Sequence, residues 1–106
     1  MSAYQYLDVE QHDHVALVRF NRPECCNALH YDILVEIERC AFAFRDDAET
    51  RVVIFTGAGR HFSAGADLDE FRAGRSQPLV VQRRRQRAGE RALHALLGID
   101  QITIGA

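Results

Sequence analysis

Between Gly57 and Phe71 the chain reads Gly57-Ala58-Gly59-Arg60-His61-Phe62-Ser63-Ala64-Gly65-Ala66-Asp67-Leu68-Asp69-Glu70-Phe71. The run follows the apolar Val52-Val53-Ile54-Phe55 and carries three glycines and three alanines within ten residues. Glycine tolerates positive φ, and neither glycine nor alanine screens its own N–H, so such a stretch lets a backbone lie against another molecule. Asp67 followed three residues later by Glu70 is an N-cap signal with a carboxylate at the third helical position. The N–H of Ala66 then stands at the mouth of a helix, where partial positive charge collects and an oxyanion is stabilised. The chemistry on offer is polarisation of a substrate oxygen by a backbone amide. The plainer reading of the same residues is a tight strand-to-helix connection, and the cap alone accounts for Asp67.

Other reactive side chains offer less. Cys25, Cys26 and Cys40 contain no C-x-x-C pair, and adjacent cysteines are a poor framework for a disulfide or a zinc site, so reduced thiols are expected. No Cys–His signature accompanies them to mark a nucleophile. His12 and His14 fall in or beside a predicted turn, Gln11-His12-Asp13, without neighbouring ligands of the kind a metal needs. No metal ligand and no cofactor is predicted.

The elements that must position the small-residue segment can be read from the apolar pattern. Tyr4 to Glu10, with Tyr4, Tyr6 and Val9, suits a first strand. His14 to Phe20, with Val15, Leu17 and Val18, suits a second, and the two form a hairpin. Pro23 ends the extended run, because its φ is fixed and it has no N–H to donate. Asn27 is the expected cap of a helix from about Ala28 to Arg45, where Ile33, Leu34, Ile37, Cys40, Ala41 and Phe44 form a stripe at steps of three and four. Glu36, Glu38 and Arg39 lie off that stripe. After the acidic turn Asp46-Asp47-Ala48-Glu49, Arg51 to Thr56 reads as a strand apolar on both faces, as expected where both are covered. Arg72 to Pro78 is a polar connection. A helix follows from Leu79 to about Leu97 despite Gly89, with Leu93, Leu96 and Leu97 as its apolar second half, and Ile102-Thr103-Ile104 begins a last strand.

At 106 residues with 47% hydrophobic and 26% charged residues, the chain fits one ordinary globular domain. No apolar run approaches the ~20 residues that span a bilayer, and Met1 to Gln5 lacks the basic and apolar regions of a signal peptide, so a cytoplasmic protein without membrane contact is expected. The net charge of −2 divides unevenly. Residues 1–70 hold thirteen acids against six arginines, and residues 71–106 hold two acids against seven arginines. Every cation is arginine, a planar, permanently charged group suited to forked contacts with phosphate. The cluster Arg83-Arg84-Arg85-Gln86-Arg87 is in the first place a solvated helix face. A basic helix can also follow nucleic-acid phosphates, but no aromatic residue interleaves these arginines and no base-reading motif is present, so no nucleic-acid partner is predicted.

Three blocks taken together, Asn21-Arg22-Pro23-Glu24-Cys25-Cys26-Asn27-Ala28-Leu29, Arg51-Val52-Val53-Ile54-Phe55-Thr56-Gly57 and the small-residue segment, resemble in order and spacing the amino-terminal part of the crotonase superfamily, the enoyl-CoA hydratases and isomerases. The resemblance covers about Val15 to Phe71 and more loosely the rest. It implies an α/β fold, a crotonase-like ββα spiral truncated to its first turns, with residues 1–106 an incomplete amino-terminal part of one core domain. A spiral of this kind is quasi-repetitive, so its first turns alone should be marginal.

What the resemblance implies for chemistry is specific. An acyl-CoA thioester binds with its carbonyl oxygen between two backbone N–H groups, whose stabilisation grows as the oxygen gains charge towards an enolate. By position, Ala66 supplies the first N–H. Ala64, Gly65, Asp67 and Leu68 line the bent acyl-CoA channel, and Ala28 approaches the coenzyme. Asp69 stands where many hydratases have lysine, removing a cationic contact to coenzyme A. The arginine cluster gains a third reading, attraction of the coenzyme A phosphates. The second donor and the glutamates that move protons lie, by the same resemblance, beyond residue 106, so the chain carries half the hole and is expected to be inactive alone. Asp67, Asp69 and Glu70 are not replacements for them. Hydration of a 2-enoyl-CoA is the default reaction of the complete enzyme, a homotrimer or hexamer that uses coenzyme A only as part of its substrate. The alternative is a catalytically incompetent acyl-CoA-binding or assembly module of the same fold.

Overall fold

The computed structural model describes residues 3–106. Strands β1 (Leu7–His12) and β2 (Val15–Phe20) form an antiparallel hairpin. Helix α1 (Tyr31–Arg45) carries the chain across to β3 (Val52–Gly57), parallel to β2. Two helices, α2 (Leu68–Gly74) and α3 (Leu79–Leu97), then lead to β4 (Ile102–Gly105), parallel to β3. The sheet order β1-β2-β3-β4 follows the chain, so each parallel pair is joined by a helical crossover. One ββα unit is complete in this mixed α/β architecture. A trace of a second layer appears where Leu29 and Ala66 form a parallel bridge beyond the ends of β2 and β3.

The core lies between the sheet and α1. Ala16 and Val18 stand level with Val53 and Phe55 across the parallel ladder, and all four are buried, which places one face of β2 and β3 against the helix. Ile33, Ile37, Cys40, Ala41 and Phe44 of α1 meet them, as the three-and-four stripe requires. Fully burying a side chain such as Ile33 or Val18 contributes roughly 1.5–3 kcal/mol. The opposite face of β3 is not covered to the same degree. Val52 and Ile54 are half-buried, contrary to the expectation that this strand is sealed on both sides.

Several boundaries differ from the sequence reading, each for a visible reason. The first strand starts at Leu7 instead of Tyr4, because the N–H groups of Gln5 and Tyr6 donate to the carboxylate of Glu36 at 3.1 and 2.8 Å. Glu36 is accordingly buried on α1 as an acceptor for main chain, where the pattern had placed it on the solvent side. His12 pairs inside β1, and the hairpin turns at Asp13 and His14 with Asp13 at φ 53°. Helix α1 begins at Tyr31 with His30 as its cap, not at Ala28 with Asn27. Cys26 and Asn27 are both left-handed, at φ 53° and 56°, and Leu29 is extended beside Ala66, so no helical turn can start there.

Helix α3 packs on α1 through its small residues. Ala88, Ala92 and Ala95 are buried, while Leu93 and Leu97 are 60% and 76% exposed, so of the expected apolar second half only Leu96 packs against the core. Alanine at this spacing lets two helix backbones approach closely, and larger side chains there would hold them apart. Replacing Ala92 with Leu is expected to destabilise the fold by about 1–3 kcal/mol through overpacking. Leu97→Ser should stay within about 0.5 kcal/mol. Urea unfolding of the two variants measures the difference.

Candidate functional site

Asn27 is the joint of the site. Its side chain is fully buried. Its Oδ1 accepts from the N–H of Arg22 at 2.8 Å, and its Nδ2 donates to the carbonyls of Ala58 and His61 at 2.9 and 2.7 Å. Its own carbonyl accepts from Ser63 Oγ at 2.8 Å, and Ser63 Oγ in turn accepts from the N–H of Gly65 at 3.1 Å. One residue therefore ties the loop after β2 to both ends of the small-residue segment after β3. Gly57 makes room for this joint. A Cβ there would run into the carbonyl oxygens of His61 and Phe62 and stand 2.6 Å from Asn27 Nδ2.

Around the joint, carboxylates are used as structural acceptors. Asp67 caps α2, accepting from the N–H of Glu70 at 3.0 Å, and also receives Arg22 Nη1 at 3.1 Å. The two side chains are 13% and 11% exposed, and Arg22 spends a second contact on the carbonyl of Ala28 at 2.6 Å. The amide bond from Glu70, helped by Arg22, holds the Asp67 carboxyl below the usual carboxylate range. Glu70 does not close the capping box, since the N–H of Asp67 goes to the carbonyl of Leu29 at 3.2 Å. Both Glu70 oxygens instead accept from the N–H of Tyr31 at 3.0 Å, at the start of α1. His30 completes that helix end: its Nδ1 accepts from the N–H of Ile33 at 3.4 Å, and its ring meets Tyr6 edge-on at 4.5 Å.

The amide of Ala66 stands between these supports. The bridge to Leu29 is made by the flanking residues, with Leu29 N–H donating to the Gly65 carbonyl at 2.7 Å and Asp67 N–H to the Leu29 carbonyl at 3.2 Å. In a parallel bridge of this kind the central residue points its own N–H and C=O away from the partner. Among the hydrogen bonds of the described residues, none uses the Ala66 N–H. Ala66 lines a cavity of about 380 Å³ together with Leu29, Leu34, Asp67, Glu70 and the facing residues of α2 and α3, among them Arg75 and Arg85. A second cavity of about 360 Å³ shares Leu29 and Leu34 and is walled by apolar groups such as Phe20, Phe55, Phe62 and Leu96.

Of the residues singled out in the sequence, Ala66 and Asp67 share the first cavity. Gly65 sits at φ 85° and Ala64 N–H donates to the Cys26 carbonyl at 2.9 Å, so both shape the approach to Ala66. Leu68 is 63% exposed at the start of α2, and Ala28 is buried with its N–H and C=O both bonded within the chain. What the sequence did not announce is the Arg22–Asp67 pair, forty-five positions apart, nor Arg75 on the cavity wall, where Arg85 alone of the arginine cluster joins it. Cys40 is buried in the core, which pushes its thiol up to about 11 and makes it unreactive. Cys25 and Cys26 are exposed and free.

Two predictions test the supports. Asn27→Ala leaves the Arg22 N–H and the Ala58 and His61 carbonyls unsatisfied and should cost on the order of 3 kcal/mol in chemical unfolding. Asn27→Asp keeps the acceptor but turns a carboxylate oxygen towards two carbonyls, so it should rescue little at pH 7. For His30, burial comes first and the Arg22 guanidinium second in depressing the ring's pKa below 6.5. The unfolded state then binds the proton more readily. The stabilisation is complete above pH ~6.5 and is lost as pH falls through that value to the depressed folded one. Unfolding midpoints measured between pH 7 and 5 should fall, and His30→Asn, which keeps a capping oxygen, should flatten that limb.

Comparison with known proteins places this geometry. The family model for enoyl-CoA hydratase/isomerase matches residues 10–106. A crotonyl-CoA hydratase of Syntrophomonas wolfei is 39% identical over 67 residues, covering 62% of this chain and 26% of that protein. A 4-chlorobenzoyl coenzyme A dehalogenase of Arthrobacter sp is 31% identical over 102 residues, covering 95% of this chain and 37% of that protein. Among solved structures, Pseudomonas aeruginosa AtuE superposes with a TM-score of 0.89 at 27% identity, over 95% of this chain and 39% of that one. The enoyl-CoA hydratase of Bacillus anthracis superposes at 0.84 with 29% identity and the same coverage of 95% and 39%. The chain thus spans well under half the length of these relatives. With nearly its whole length matched and its fold superposed on solved members, the chain belongs to the enoyl-CoA hydratase/isomerase family, the crotonase superfamily, and corresponds to its amino-terminal portion.

Proposed function

We propose that this chain supplies the first oxyanion donor of an acyl-CoA enzyme, with the N–H of Ala66 donating to a thioester carbonyl oxygen that gains charge on its way to an enolate. The observation that carries the reading is an amide with no acceptor among the described residues, set in the wall of a cavity and displayed by small neighbours. Such a donor is worth most where the substrate oxygen becomes most negative, so its contribution falls on the transition state and not on binding. Hydration of a 2-enoyl-CoA is the proposed reaction, in a cytoplasmic enzyme that assembles as a trimer or hexamer and needs no cofactor besides the coenzyme A of its substrate.

The carboxylates on this cavity favour a division of labour. Asp67 is bound by the Glu70 amide and Arg22, and both oxygens of Glu70 by the Tyr31 amide. Both carboxylates are thereby held in structural contacts, Asp67 by two donors and Glu70 by one. These residues polarise and position, and proton transfer falls to groups outside the described cavity. The same observation supports a second reading, a module that binds acyl-CoA without turning it over.

The direct test replaces the Ala66 amide by an ester, which removes one N–H and leaves every side chain in place. With crotonyl-CoA bound, the infrared carbonyl band of the thioester should move to lower frequency in the amide protein and stay near its solution value in the ester analogue. In the catalytically complete enzyme the same exchange should lower turnover by ~10²–10³ with little change in substrate affinity. An unshifted carbonyl in the amide protein would remove the oxyanion role, and binding without turnover in the complete enzyme would favour the second reading.

A further inference from the structure

The cavity beside Ala66 has a charge balance that a plain hydrocarbon chain does not need. Asp67 is paired with Arg22, which leaves Glu70, bonded to the N–H of Tyr31, as the other carboxylate on the wall. Arg75 and Arg85 line the same space, and among the described residues neither forms an ion pair. Arg85 is half-buried and held in place: its Nη1 donates to the Glu70 carbonyl at 3.2 Å, and the guanidinium rests on buried Gly74, where an added Cβ would stand 3.3 Å from Nη1. Arg75 is steadied over the ring of Phe71 at 5.2 Å. Each guanidinium has five N–H donors, and most of those on Arg85 remain unspent. A half-buried cation with no counter-ion is costly unless a partner arrives, and Arg is the side chain best shaped for a forked oxyanion.

We propose that Arg75 and Arg85 form an oxyanion-binding wall of this cavity and hold a carboxylate on the acyl portion of the ligand. This rests on the acyl-CoA reading above and narrows it. An uncharged acyl chain finds a better match in the neighbouring apolar cavity around Phe20, Phe55 and Leu96. Arg83, Arg84 and Arg87, exposed on the rest of the helix and absent from the wall, contribute only a diffuse positive field.

The experiment is calorimetric titration of the chain with glutaryl-CoA, pentanoyl-CoA and free coenzyme A, repeated for Arg75→Gln, Arg85→Gln, the charge-retaining Arg85→Lys, and Arg84→Gln as a control off the wall. If the anion is an acyl carboxylate, glutaryl-CoA binds roughly tenfold or more tightly than pentanoyl-CoA. Both glutamine variants then erase that difference, and Arg85→Lys keeps part of it. If the glutamine variants instead weaken all three ligands by one common factor, the contact is to the coenzyme and the acyl-carboxylate wall is overturned. Binding of the thioesters that Arg75→Gln and Arg85→Gln alter no more than Arg84→Gln overturns the wall and leaves the acyl-CoA reading standing. No binding of any of the three ligands overturns both.

Discussion

A single buried amide, that of Asn27, constrains the functional end of this molecule. Its side chain is surrounded by backbone groups from two loops that are distant in sequence, and it satisfies one N–H and two C=O groups that no secondary structure reaches. Buried main-chain groups left without partners are expensive, so the loops have little choice but to converge on it. Asparagine is suited to the place on two counts. It carries a donor and an acceptor on one short side chain, and it tolerates the left-handed backbone that the reversal of the loop demands. Because the joint fixes Ser63 and Gly65 as well, the exposed amide of Ala66 inherits its position from a residue almost forty places earlier.

Around that joint, charge is used for construction more than for chemistry. Glu36 holds the entry to the first strand, Asp67 caps a helix and pairs with Arg22, and Glu70 bonds the first turn of the neighbouring helix. Each places a carboxylate against N–H groups that would otherwise go unpaired, at the start of an element or where the helix field favours a negative group. The result is a site whose acids are already engaged. Beside them the cavity presents a main-chain N–H, two guanidinium groups and the side-chain amides of Gln82 and Gln86. The donors among these groups favour oxygen that carries or develops negative charge.

The helices reach the same end by a different route. Helix α3 turns alanines towards α1, with Leu96 half-buried against the core and Leu93 and Leu97 outside, so the two helices lie close together. That closeness sets the spacing between the end of β3 and the wall that carries Arg85. The cavity of Ala66 and the apolar cavity beside it share Leu29 and Leu34, one from the loop and one half-buried on α1. A change in helix packing would therefore be felt in both.

Much of this was legible in the order of residues. The strands, the three-and-four stripe of α1, the cap at Asp67 and the small-residue segment with Ala66 at its end are local patterns, fixed by side-chain period and backbone preference within a few positions. The family likeness, too, rests on short blocks in a fixed order. What the sequence could not determine were the partners of polar groups far apart along the chain. Asn27 looks like a helix cap until the loop after β3 is brought against it, and Glu36 looks solvent-facing until the first strand needs an acceptor. Alanines outrank leucines on α3 because only the neighbouring helix decides which face is the near one. In each case the local pattern leaves two outcomes of similar energy, and burial of an unpaired group or a misfitting side chain, a cost that exists only once the chain is folded, selects between them.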